Sequence, residues 1–120
     1  LCLAYAAASL IHFAHNAEFL ADYPNMPEWL SRSEVYVAWL GLTAVGAAGY
    51  VLFHRGFQRA GLLVIAVYAA LGLDSLSHYL VAPFAAHTAM MHFTIWVDVA
   101  AAALLLIAVS RLAAKRMESS

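Results

Sequence analysis

The chain has 120 residues, 65% of them hydrophobic and 11% charged, and its net charge is −1. A soluble domain is nearer half apolar and a quarter charged, so this composition predicts a single integral membrane domain. The near-neutral balance, without a basic patch interleaved with aromatics, argues against nucleic-acid binding, and the lone Cys2 excludes an internal disulfide or a CxxC motif.

A membrane-spanning helix needs roughly 20 mostly apolar residues. Four stretches qualify: residues 1–21, 34–53, 57–80 and 86–113. The first carries His12, His15, Asn16 and Glu18 inside an apolar run. These interruptions read as a spanning helix rather than a signal peptide. Polar groups in such a run are costly in lipid, which makes each a functional candidate.

Pro24 and Pro27 break the chain after this helix. Residues 22–33 are expected to lie in the interface as a lid, with Trp29 and Leu30 dipping inward. Ser33 followed by Glu34 reads as the cap of the second helix. On that helix Gly41, Ala44 and Ala48 form a stripe of small residues suited to close packing within a bundle or between copies. His54-Arg55-Gly56 is a tight turn, and Pro83 ends the third helix or opens the fourth. The polar Ser119-Ser120 tail is expected to fray.

Short connections place sequential helices side by side. The expected fold is therefore an all-α integral membrane protein, a four-transmembrane-helix up-down bundle with both termini cytoplasmic. The orientation follows from charge: Arg55, Arg59, Arg111, Lys115 and Arg116 share one side, and Arg32 alone among the Lys/Arg falls on the other. The compact form suits a bacterial inner membrane, with the lipid bilayer as first partner and a homo-oligomer or a larger membrane complex as further options.

In this topology three helices bring ionisable groups to one layer, roughly 5–15 Å below the outer face. Helix 1 contributes His12, His15 and Glu18, helix 3 Asp74 and His78, and helix 4 His87. Asp74 and His78 are expected to be i,i+4 neighbours. His87, Met91, Thr94 and Asp98 share a face of helix 4, whereas His92 lies about 140° from His87. His87 is therefore preferred over His92 unless the first turn is irregular. Imidazole and carboxylate converging from several helices suit zinc, iron or copper. The expected metal ligands are His12, His15, Glu18, Asp74, His78 and His87, with His92, Asn16, Met91 and Asp98 as supporting or cofactor contacts. Haem held by cross-helix His pairs is a further option.

Two motifs resemble known families. Asp74-x-x-x-His78 with a later His resembles the copper-ligand pattern in the membrane C subunit of particulate methane monooxygenase, over three residues. His15-x-x-Glu18 is similar to the opening of a bacterial H-x-x-E-E membrane family. Phe19 stands where that family has its second Glu, and no partner E-x-x-x-R follows. Neither identifies the chain. The expectation from the residues is a small membrane metalloprotein, its site facing the extracytoplasmic side, acting by metal-centred redox or metal-activated water on a small or lipophilic substrate. The alternative is a non-catalytic subunit of a larger complex that binds a lipid, pigment, haem or partner helix through the same layer.

Overall fold

The computed structural model describes residues 1–118, and the Ser119-Ser120 tail lies outside them. Among the described residues every regular element is helical. The α-helices are α1 (Cys2–Glu18), α2 (Arg32–His54), α3 (Gln58–Gly72), α4 (His78–Val81) and α5 (Ala89–Glu118). Short 3-10 turns occupy Leu20–Asp22, Leu73–Ser77 and Phe84–Ala86.

The long helices close a ring: α1 packs on α2, α2 on α3, α3 on α5 and α5 on α1. The resulting bundle measures 50 × 26 × 19 Å, and its long axis suits a bilayer with its interfaces, about 40–45 Å thick. Three helical segments, Arg32–His54, Gln58–Val81 and Ala89–Glu118, are long and apolar enough to cross a membrane. The exterior is apolar as lipid contact requires; Leu80 is 88% exposed.

One half of the bundle holds an apolar core of Tyr5, Leu62, Ile65, Tyr68, Ala102, Leu105 and Val109. The polar layer fills the other half. In the core the helices approach closely at Gly46, where a Cβ would lie 2.6 Å from the Tyr68 ring, and at Gly61, where it would lie 2.5 Å from the Phe53 backbone nitrogen. The stripe of Gly41, Ala44 and Ala48 instead faces outward, and a Cβ at Gly41 would meet nothing within 4 Å. Close packing in the ring thus uses the glycine face beside the expected stripe.

Local chemistry explains two further differences. The α2 cap is Ser31, two residues earlier than expected. Its hydroxyl accepts from the Glu34 amide at 3.3 Å, and its own amide donates to Glu34 Oε2 at 2.7 Å, a complete capping box. The third span breaks after Gly72, where Asp74, Ser75 and Ser77 bring short polar side chains that compete with α-helical bonding. In the tighter 3-10 winding, residues three apart eclipse and residues four apart do not. Ser75 and His78 therefore both turn inward, and Asp74 is left exposed. The expected i,i+4 pairing of Asp74 with His78 is replaced by this i,i+3 pairing.

Candidate functional site

His12 and Asn16 follow Tyr5 and Ser9 along the buried face of α1 at three- and four-residue intervals. His78 enters from the start of α4, and His87 from the extended residue between the third 3-10 turn and α5. All four side chains are buried. The His12 and His78 rings meet edge to face at 5.4 Å, and those of His78 and His87 at 6.3 Å. Three imidazoles from three parts of the chain thus follow one another through the layer.

Hydrogen bonds decide which ring nitrogens are free. Thr94 Oγ1 gives its one proton to the Met91 carbonyl at 3.1 Å. It can then only accept from Nδ1–H of His12, at 3.4 Å, which leaves a lone pair on His12 Nε2. Nδ1–H of His87 donates to the Pro83 carbonyl at 3.1 Å, and its Nε2 is buried with no partner. Asn16 Nδ2 donates to His78 Nε2 at 3.1 Å, and Asn16 Oδ1 is buried without a partner.

The proline segment closes over this layer. Tyr23 is buried, its ring 5.1 Å from that of His78 and its hydroxyl 2.9 Å from His15 Nδ1. Burial pushes the Tyr23 phenol up from its ordinary value. Asn25, with φ at 58°, donates from Nδ2 to the Val81 carbonyl at 2.8 Å and so ties the segment to the end of α4. Asn and Asp tolerate this left-handed backbone better than bulkier residues. Of the two residues expected to dip inward, Leu30 is partly buried and reaches the cavity below, whereas Trp29 is 73% exposed; Tyr23 joins Leu30 on the inward side.

Beneath the segment lies a cavity of about 330 Å³. His12, Asn16, Asn25, Asp74, Ser75, Ser77 and His78 bring polar groups to its wall, and Phe13, Met26, Leu30, Val35 and Leu71 are among its apolar residues. No Lys or Arg lines it.

The other expected site residues fall around this centre. His15 is half-buried at its edge, and Asp74 sits exposed on the cavity rim. Glu18 is drawn away: it pairs with Arg32 at 2.7 Å and accepts from the Tyr36 hydroxyl at 2.8 Å. His92 lies one step outward, 2.8 Å from the Tyr79 hydroxyl and stacked on Phe84 at 3.8 Å. It still approaches His87, with rings 5.7 Å apart, because residue 87 precedes α5 and escapes its helical phase. Met91, Thr94 and Asp98 share the buried face of α5, as their spacing predicts. Asp98 is deeper than the histidines and fully buried; Oδ2 accepts from Ser75 at 2.6 Å, and Oδ1 has no partner.

Of the six expected ligands, His12, Asp74 and His78 line this cavity, and His15, Glu18 and His87 do not. Among the described residues, no group of three or more His, Cys, Asp or Glu side chains is arranged to hold a metal ion. Tyr23, Ser75 and Thr94 also take part, beyond the site residues expected from the sequence. Thr94 carried a signal, its place on the inward face of α5. Ser75 became legible only with the 3-10 turn, and Tyr23 lies in irregular chain where periodicity assigns no face. No protein-family model, curated protein or solved structure matches this chain.

Proposed function

We propose that this chain is a small integral membrane protein that binds a neutral, lipophilic molecule with a carbonyl or hydroxyl head in the cavity under the proline segment. The observation that supports this most is the cavity wall itself: apolar over most of its surface, with His12, Asn16, Ser75 and His78 among the residues that bring polar groups together. A largely apolar pocket with a few convergent polar groups is the usual form of a small-molecule site, and its volume lies at the lower end of that range. The wall has Asp74 and no cation, which disfavours phosphate or carboxylate heads. Entry would be lateral from the leaflet that meets the proline segment. The role is binding, as a free-standing carrier or as a subunit of a larger membrane complex.

The topology that goes with this reading has α1 as a fourth span and both termini in the cytoplasm of a bacterial inner membrane. Five of the six Lys/Arg lie at the opposite end of the bundle from the proline segment, which supports an extracytoplasmic cavity. A C-terminal reporter active only outside the membrane would reverse that orientation.

The binding test uses decylubiquinone, a neutral dicarbonyl head on an alkyl chain, with decyl phosphate as the anionic control. Decylubiquinone at about 100 times its Kd should stabilise the purified protein by about 2.7 kcal/mol. Decyl phosphate should not, and Asn16→Ala should lose the effect. If no neutral amphiphile co-purifies, and decylubiquinone shifts neither melting nor intrinsic fluorescence, the reading fails.

A metal reading keeps one supporting observation. Ligating histidines almost always donate their second ring N–H to a carboxylate, a backbone carbonyl or water, and His87 does so to Pro83 while its Nε2 has no partner. His12, held by Thr94, has the same tautomer. Zinc, iron or copper held by His12, His78 and His87 would need His78 to turn away from Asn16. Haem fits less well, because His12 and His78 stand edge to face at 5.4 Å and leave no gap for a macrocycle. Stoichiometric metal after gentle purification, lost in both His12→Ala and His87→Ala, would favour the metal reading over the neutral ligand.

A further inference from the structure

A second concavity lies at the other end of the bundle, between α3 and α5, with a volume of about 510 Å³. Arg59 of α3 and Arg116 of α5 stand at its polar end. Leu63 and Met117 form exposed apolar walls, and Ala66 and Ala113 are the small residues between them. From Arg59 to Ala66 is about 10 Å along the helix axis, two turns of apolar groove running from the cationic end into the bilayer region.

The charge around this groove is one-sided. Arg55, Arg59, Arg111, Lys115 and Arg116 gather at this end, and Glu118 is the one acid there. Arg116 is already positioned: its guanidinium bonds Gln58 Oε1 and lies 5.3 Å over the Phe53 ring. A planar guanidinium held in place loses little further freedom on meeting a phosphate. The small Ala66 and Ala113 beside the larger Leu63 and Met117 leave apolar room for a hydrocarbon chain. The composition is the converse of the histidine-lined cavity, which has no cation and an acid at its rim.

We propose that this groove seats an anionic phospholipid, with its phosphate between Arg59 and Arg116 and one acyl chain over Ala66 and Ala113. Basic pockets between membrane helices recognise anionic head groups in this way. The apolar run continuous with the two arginines favours a lipid over a free anion. This site is independent of the ligand proposed for the other cavity.

The test measures binding of phosphatidylglycerol and phosphatidylcholine to the detergent-purified protein by native mass spectrometry, with melting temperature alongside. Phosphatidylglycerol should bind more tightly than phosphatidylcholine. Arg59→Gln should weaken it about five-fold, the value of one cation near an anionic head group. Arg111→Gln, which removes an exposed cation outside the groove, should weaken it much less. Ala113→Leu should block the chain seat while leaving every charge in place. Equal affinity for the two lipids would overturn the proposal. So would equal losses in Arg59→Gln and Arg111→Gln, which would mean diffuse charge, or unchanged binding in a folded Ala113→Leu protein. Inorganic phosphate reproducing the whole melting shift would overturn the lipid as occupant.

Discussion

Asn16 Nδ2 lies 3.1 Å from His78 Nε2, joining residues 62 positions apart across the centre of the polar layer. Both side chains are buried, so this bond satisfies Asn16 Nδ2 and His78 Nε2, which would otherwise lack a partner. Asn16→Ala should destabilise the bundle by about 1–3 kcal/mol, because His78 then loses its donor. His78→Ala should do the same from the other side. The double variant should cost less than the two summed, by about 0.5–3 kcal/mol. Thermal unfolding of the four proteins in one detergent checks this; strict additivity would show that the pair is not coupled.

The extent to which this site was legible in the sequence follows from how regular each segment is. His12, Asn16, Met91, Thr94 and Asp98 sit on continuous α-helix, and a 100° step places all five on inward faces. Asp74 and His78 sit across a 3-10 turn, where the same step fails, and Asp74 came out exposed. Glu18 shares α1 with His15 yet is captured by Arg32, which approaches from α2 after an irregular loop. Tyr23 owes its burial wholly to the fold of that loop. Periodicity carries information as far as the helix does, and the lid and the broken third span lie beyond it.

Glycine substitutions separate close approach from open surface. Gly61→Ala would place a Cβ 2.5 Å from the Phe53 backbone nitrogen and 2.7 Å from its Cα, and backbone cannot swing aside. It should cost about 1–3 kcal/mol or more as the α2–α3 hairpin is forced apart. Gly41→Ala meets nothing within 4 Å and lies in helix interior. It should stabilise by about 0.4–1 kcal/mol. Melting temperatures moving in opposite directions are the expected result, and equal losses would refute the assigned faces of α2 and α3.

Tyr23 gives the loop a pH dependence with a defined sign. Burial raises its phenol above the ordinary value, so the folded chain holds this proton more tightly than the unfolded chain. Its contribution is complete below the phenol's ordinary titration range and is lost as pH rises through the folded value. The melting-temperature gap between wild type and Tyr23→Phe should therefore narrow only in alkaline solution. A gap that stays constant or widens there would show that the Tyr23 hydroxyl is not docked in the folded protein.

Asp98 tests what the deep end of the polar face requires. It is fully buried, accepts from Ser75 at 2.6 Å, and has a second oxygen with no partner. Neither a salt bridge nor a hydrogen bond to any cation is present at this carboxyl among the described residues. An isolated charge here would be expensive, so what the site uses is an acceptor for the Ser75 hydroxyl and a side chain of this volume. Asn supplies both, and Asp98→Asn should keep the protein folded with stability close to wild type. Asp98→Ala removes the acceptor, strands the Ser75 hydroxyl and opens a void, so it should cost about 2–4 kcal/mol. Asp98→Ala with Ser75→Ala removes both polar partners and should recover part of that loss. The ordering wild type ≈ Asn > double Ala > single Ala in thermal unfolding is the expected outcome. If Asp98→Asn were as damaging as Asp98→Ala, the carboxylate charge itself would be needed, and an interaction with a cation or a proton would replace the Ser75 bond as the reason for an acid at this position.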